Sequence, residues 1–328
     1  MRVHETIEPW LARDERKRAH YLDDPYFWEG RTYFRAACAG RYPETALRSL
    51  TFLLVKPEAI VGRRIAPIIE FVHERGYRVA GTWPVRMGRH EARSLWRYQL
   101  NTVPIAHLRA LEMVVSAGEL FLVGLVRRPG SAEASAAESL SRSKGSSDDP
   151  IGRGGGSLRD LLGRPAVMLN FVHAPDEPAD VLRELAVLCD PARLAQAIGT
   201  LLAASHWSPA QFAAAAQTAR VIMTSRYARS AAHDLDAAAT LPRLRAWLRQ
   251  HPAAGLAPRA RAAIEAGQTS PEQALGVVES LAGVPELPAW DRIVTAVHLV
   301  DGLRTGRPPL IGAPPLRPPD EGEQRERL

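Results

Sequence analysis

Apolar and polar positions divide the chain into four stretches of different character. Residues 1–48 are polar and basic, with rings at Trp10, Tyr21, Tyr26, Phe27, Trp28, Tyr33 and Phe34. Charged residues 14–18 read as helix and Asp23-Asp24-Pro25 as a turn. Rings at this density pack onto a neighbour, so the segment is expected to be an N-terminal arm docked on the adjoining domain. From residue 49 the pattern changes. SLTFLLV (49–55) is a short apolar run ending at Lys56-Pro57, which predicts a buried strand. IAPIIEFVHERG (65–76) repeats apolar residues at helical spacing and stops at Gly76. YRVAGTWPVRM (77–87) is extended, with Pro84 marking an edge strand or a bulge. HEARSLWRYQL (90–100) and IAHLRALEMVV (105–115) predict helices, and LFLVGLVR (120–127) and AVMLNFV (166–172) predict strands. EPADVLRELAVL (177–188) closes the unit as an amphipathic helix. This order predicts an α+β sandwich of the ferredoxin-like βαββαβ kind over residues 49–189.

Within that unit residues 131–160 are Ser/Gly-rich. Their composition reads as a flexible linker, yet a long loop inside a domain is more often functional than idle. Residues 190–306 are rich in Ala, Arg and Leu with regular Pro or Gly breaks, which predicts an all-helical domain. Residues 307–328 are Pro-rich and then charged, and are expected to form a disordered tail.

Composition narrows the function classes. Of 328 residues, 46% are apolar, enough for a substantial core, so global disorder is excluded. No run approaches the ~18–20 apolar residues that span a bilayer, and the N-terminus lacks the apolar core of a signal peptide. Cys38 and Cys189 alone make no disulfide framework, and a reducing, cytoplasmic setting is expected. The formal charge of +6 admits a nucleic acid, a phosphate-bearing small molecule, or simply a preference for Arg. No basic run is interleaved with aromatics, so a nucleic-acid groove has no direct support. The remaining histidines lack paired metal-ligand spacing, GRGGGS (152–157) is not a phosphate-binding P-loop, and no GxSxG elbow occurs.

Three stretches could carry chemistry. LLVKPEA puts Lys56 at the end of a buried strand. SLRDLLG (157–163) offers Arg159 after a glycine run. NFVHAPDEPADVLREL (170–185) places Asn170 and His173 at the end of the last strand, with Asp176 expected to cap the next helix and Glu184 eleven residues beyond His173. Lys-Pro-acidic after the first strand, a Ser-Leu-Arg segment and Asn-x-x-His-x-x-Asp before the last helix together resemble the nucleoside diphosphate kinase family. VKPEAIVGRRIAPIIEFVHERGYRVAG is similar to that family's opening strand, helix and second strand. The resemblance covers roughly residues 50–189.

The resemblance implies a phosphoryl shuttle through His173, which would take the γ-phosphoryl group of ATP or another nucleoside triphosphate and pass it to a nucleoside diphosphate. Mg²⁺ would bridge the nucleotide phosphates. A neutral imidazole is a competent nucleophile near pH 7. It also implies that Lys56 and Arg159 neutralise phosphate charge, that Asn170 lies by the sugar, and that Glu184 holds the other nitrogen of His173. Tyr98 falls on the family's tyrosine beside the phosphates. Counting back from Arg159 without gaps brings Arg142 onto a second phosphate-binding arginine and Asp149-Pro150 onto an Asn-Pro.

Departures from the family pattern are specific. Asp148 stands where the family has a phosphate-contacting threonine, with Ser146 or Ser147 as substitutes after a small shift. Ala174-Pro175 replaces Gly-Ser after the histidine. Ile105, Ala106 and His107 replace the aromatic platform for the base. The expected partners are nucleotides, with no membrane and no nucleic acid. The family assembles as hexamers or tetramers, and the appendages of this chain leave a homo-oligomer open. Beside the enzyme stand two alternatives: a catalytically weakened nucleotide-binding regulatory protein, and a scaffold whose helical C-terminal domain does the binding.

Overall fold

The computed structural model describes residues 6–41, 43–127, 134–146 and 156–312. It is an α+β structure: sixteen α-helices among the described residues surround one four-stranded antiparallel sheet. The arm begins with α1 (Glu15–Leu22) and α2 (Pro25–Ala37), whose first turns are capped by the carboxylates of Asp14 and Asp24. A short α3 (Glu44–Arg48) leads into β1 (Leu50–Val55), all six of whose residues are buried. Pro57 needs no N–H partner and opens α4 (Pro57–Val61) directly after Lys56. Helix α5 (Ile65–Glu74) precedes a turn at Gly76, whose φ of 79° favours glycine. Then come β2 (Tyr77–Val85), α6 (Arg89–Leu95), α7 (Ile105–Val115), β3 (Leu120–Arg127), α8 (Ala136–Lys144), α9 (Leu158–Leu161), β4 (Val172–His173) and α10 (Pro178–Leu188).

The strand order is β2-β3-β1-β4, so β1 and β3 are central and their apolar runs are covered on both faces. Strand β2 is outermost, where Pro84 can lack an N–H, and its pairing with β3 shifts register between Val79 and Gly81. Gly81 and Gly124 face each other across that pair. A Cβ on either would lie within 3 Å of the Trp83 indole, so the two glycines make room for one buried ring.

Three elements differ from the sequence reading, each for a visible reason. The strand expected over 166–172 shrinks to Val172–His173. Phe171 takes φ 67°, because its N–H turns out of the ladder to the buried Glu58 carboxylate (3.1 Å), while Val172 N–H donates to the Asn170 carbonyl (2.8 Å). The helix expected over 90–100 stops at Leu95, where the carbonyls of Ser94 and Leu95 accept from the Arg183 guanidinium. The amphipathic helix 177–188 is buried along its whole length, because the arm covers its outer side.

That cover is close. Gly30 of α2 lies on the backbone of α10 so tightly that a Cβ there would sit 2.1 Å from the Leu182 carbonyl oxygen. Polar residues fill the rest of the interface. Lys17 pairs with Glu177 (2.6 Å) and Asp180 (2.9 Å), Tyr21 O–H donates to Asp180, and Arg183 pairs with Asp24 (2.6 Å), all deeply buried. The docked arm is thus bound by charge as well as by its rings.

The remaining helices are α11 (Pro191–Ala203), α12 (Pro209–Thr224), α13 (Ala237–Gln250), α14 (Pro258–Ala266), α15 (Pro271–Ala282) and α16 (Ala289–Val300). Helices α11 and α12 lie against β2, α13 packs on α16, α14 on α15, and α15 and α16 against α7. One continuous apolar core runs from Ile7 to Ile311. Residues 307–312, placed in the tail by sequence, run past α6, with Leu310 N–H on the Tyr98 carbonyl and Ile311 buried. Residues 313–328 lie outside the described residues. Among the described residues no helix is long and apolar enough to cross a membrane.

Candidate functional site

Strand β4 ends the sheet at His173, and everything that touches this ring comes from elements already fixed by the core. His173 pairs with Leu54 across β1, one residue before Val55 and two before Lys56. Its Nε2 lies 2.8 Å from Glu184 Oε2 of α10. The Trp96 indole N–H donates to its Nδ1 at 3.4 Å, with the two rings perpendicular at 89° and centroids 5.7 Å apart. These partners assign the tautomer: Nε2 carries the proton and donates to the carboxylate, and Nδ1 keeps its lone pair. The His173 side chain is 15% exposed and that of Glu184 8%, so the pair is nearly enclosed.

Three cations surround the backbone that carries the ring. Arg159, on α9, donates to the Val172 carbonyl (3.0 Å) and to the Gly145 carbonyl (2.9 Å). Lys144, the last residue of α8, donates to the Ala174 carbonyl (3.0 Å) and lies 3.5 Å from Asp176. His173 is therefore flanked along the chain by one carbonyl bound to arginine and one bound to lysine. Lys56 donates to the Met168 carbonyl (2.8 Å) and pairs with Glu58 (2.7 Å). Burial pushes the Lys56 ammonium below its ordinary pKa, against the pull of Glu58, and the Arg159 charge pushes the same way as burial. Burial likewise lowers Lys144, opposed first by Asp176, with Arg159 again adding to the fall. Asp176 moves downward as well: burial alone would raise it, but Lys144, Lys17 and the Ser141 hydroxyl prevail.

No protein-family model and no curated protein matches this chain. What the site can do therefore rests on its geometry.

Lys56, Arg159, Asn170, His173 and Glu184 all converge on the end of β1 and β4. Asn170 donates to the Val167 carbonyl (2.8 Å), and its buried Oδ1 has no hydrogen-bond partner among the described residues. Tyr98 and Arg142 point elsewhere. The Tyr98 hydroxyl donates to Asp24 (2.8 Å) in the arm interface, where burial and the Asp24 charge push its pKa up to about 12. Arg142 is exposed on α8, and its charge acts on Tyr77. Tyr77 pairs with Arg127, at the far end of β3 from the residues beside His173. Asp176 does not cap α10. Glu177 takes that place, its N–H donating to the Asp180 carboxylate (2.9 Å), and Asp176 instead accepts from Ser141. Ile105 is 60% exposed, whereas Ala106 and His107 are buried. Ser146 is exposed and its carbonyl accepts from Arg164 (2.9 Å), while Ser147, Asp148, Asp149 and Pro150 lie outside the described residues.

Two site residues escaped the sequence reading, Trp96 and Lys144. Each sits two positions from the residue expected there, Tyr98 and Arg142 respectively. For Lys144 the signal was present: Ala136, Leu140 and Lys144 recur at four-residue spacing, which puts the lysine on the buried face of α8 and turns Arg142 out.

Each carboxylate of the site is engaged through at least one oxygen, and the buried Glu58 Oε2 has no hydrogen-bond partner among the described residues. Glu58 accepts from Lys56 and the Phe171 N–H, Asp176 from Ser141, and Glu184 faces His173. Among the described residues no group of three His, Cys, Asp or Glu side chains is placed to hold a metal ion.

Proposed function

We propose that this chain is a nucleoside-diphosphate-kinase-like phosphotransferase that carries a phosphoryl group on His173. The observation that carries the reading is the disposition of one ring: Nε2 on the Glu184 carboxylate, Nδ1 with its lone pair, and Lys56, Lys144 and Arg159 at the same strand end. The strand order β2-β3-β1-β4 supports the ferredoxin-like βαββαβ sandwich that the resemblance implies. In the first half-reaction Nδ1 attacks the γ-phosphorus, the bond to the bridging oxygen breaks, and the nucleoside diphosphate leaves with that electron pair. In the second, a terminal oxygen of an acceptor diphosphate attacks phosphorus and the P–N pair returns to Nδ1. Glu184 offsets the positive charge that the ring acquires while bonded to phosphorus. Mg²⁺ enters as part of the nucleotide substrate, held by its phosphates.

Incubation with γ-labelled ATP and Mg²⁺ is expected to give an acid-labile, base-stable label on His173. A nucleoside diphosphate should then discharge it as the triphosphate, and His173→Asn should take no label while melting normally. Absence of the label in the folded wild-type chain overturns the reading. Lys144→Ala is expected to slow transfer by about 10²-fold, the usual consequence of losing one donor to a developing anion. Arg142→Ala should stay within about twofold, as exposed substitutions do. Equal losses in both would return Arg142 to the site.

A second reading has its own support. Lys56, Lys144 and Arg159 are all engaged with main-chain carbonyls, and phosphate must displace those bonds. Two crevices, of about 390 Å³ between α7 and α16 and about 180 Å³ between α5, β2 and α12, do not include His173. A nucleotide-binding regulatory protein without turnover is the reading in which those cations stay on the main chain and His173 receives no phosphoryl group. Thermal stabilisation by nucleotide with no label on His173 would select it.

A further inference from the structure

We propose that Trp96 is a gate on His173 and that the N-terminal arm holds it in place. The proposal rests on the phosphohistidine reading for the identity of the incoming group, while the contact itself concerns the ring alone. With Nε2 bound to Glu184, Nδ1 is the ring nitrogen that can attack, and its lone pair accepts the Trp96 indole N–H. A lone pair used in this way cannot also point at phosphorus. The indole must swing aside before any group bonds to Nδ1. At 3.4 Å the hydrogen bond is long, so the contact can open.

What keeps the indole there is a chain of buried bonds that begins in the arm. Trp96 directly follows α6, and the carbonyl of Leu95 accepts from Arg183 Nη1 (3.0 Å), with Ser94 bound to Nη2. Arg183 Nε donates to Asp24 Oδ2 (2.6 Å), the residue that caps α2. Tyr98, two residues beyond Trp96, donates to the same oxygen. Both sides of the histidine thus depend on consecutive residues of α10. Glu184 orients Nε2 directly, and Arg183 fixes the turn from which Trp96 reaches Nδ1. Trp96 is a gating contact, and Arg183 and Asp24 are positioning residues that act through it.

The test uses the intact chain and potassium phosphoramidate, a small phosphoryl donor that needs no nucleotide site. In this reaction the Nδ1–P bond forms as the bond from phosphorus to ammonia breaks, and ammonia leaves with that electron pair. Trp96→Phe keeps an aromatic ring and removes the N–H. It is expected to label at His173 about five- to tenfold faster than wild type, the factor that corresponds to losing one ordinary hydrogen bond from the resting state. In ¹⁵N-histidine spectra the Nδ1 resonance should move from the hydrogen-bonded position to that of a free lone pair. Asp24→Asn, which weakens the anchor far from the ring, should move both readouts the same way by a smaller factor. Unchanged labelling and an unchanged resonance in Trp96→Phe overturn the gate. So does a wild-type Nδ1 resonance already at the free position, which decides the matter should the variant fold poorly. Faster phosphoramidate labelling with no labelling by ATP keeps the gate and removes the nucleotide reading. Labelling by ATP with no effect of Trp96→Phe does the reverse.

Discussion

Glu184→Gln is expected to slow phosphoryl transfer through His173 by about 10²- to 10⁴-fold while leaving the melting temperature close to that of wild type. The range reflects what removing the charge on an orienting carboxylate does to a catalytic imidazole. Two effects add. A carboxylate is an acceptor only, so at 2.8 Å it forces the proton onto Nε2 and the lone pair onto Nδ1. An amide can present its NH₂ group instead and favour the other tautomer, which places the proton where phosphorus must bond. The amide also lacks the charge that stabilises the ring while it carries a phosphoryl group. Single-turnover transfer from labelled ATP, followed at saturating nucleotide, separates these effects from nucleotide binding. Transfer at the wild-type rate in Glu184→Gln would mean that the carboxylate only packs the ring.

Much of this arrangement was legible in the sequence, and the parts that were not share a physical cause. The apolar runs at 50–55 and 120–127 specify β1 and β3 because central strands buried on both faces need nothing but apolar residues. Lys56 and His173 fall together because they stand at the paired ends of β1 and β4, and α10 and α9 bring Glu184 and Arg159 to the same place. The last strand was overestimated. Apolar side chains at 166–172 record burial, whereas the ladder ends through the φ of Phe171 and a hydrogen bond to Glu58, more than a hundred residues away. Arg142 and Tyr98 are what a residue count along the chain selects, and such a count ignores the four-residue spacing that turns Lys144 inward on α8. Trp96 lies just past the end of α6, where helical spacing no longer applies. Helix α10 misled in the opposite sense. It read as amphipathic, with one polar face left to solvent, whereas its polar residues Asp180, Arg183 and Glu184 are buried against the arm and the histidine.

Lys17→Met is expected to destabilise the protein by about 3–5 kcal/mol, a large share of the ~5–15 kcal/mol that holds a domain folded. Lys17 is 4% exposed and stands between Glu177 at 2.6 Å and Asp180 at 2.9 Å, with the Tyr21 hydroxyl also on Asp180. Methionine fills much of its volume and none of its charge, so two buried carboxylates three residues apart are left facing each other. The loss should depend on pH in a definite direction. Glu177 already sits above its ordinary pKa through burial, against the pull of Lys17 and helped upward by Asp180. Removing the lysine raises it further. A carboxyl whose folded pKa is raised contributes its stability below its unfolded value, near 4.5, and loses it as pH rises through the folded value. The deficit of Lys17→Met relative to wild type should therefore be larger at pH 8 than near pH 5, as read from urea midpoints at the two pH values. A pH-independent deficit would assign the loss to packing alone. Because α2 and Asp24 belong to the same docked arm, the variant should also free the Arg183 link to Trp96. Hydrogen exchange of α1 and α2, and phosphoramidate labelling of His173, should therefore rise in Lys17→Met under conditions where the amides of β1 and β3 still hold the protection of the wild type.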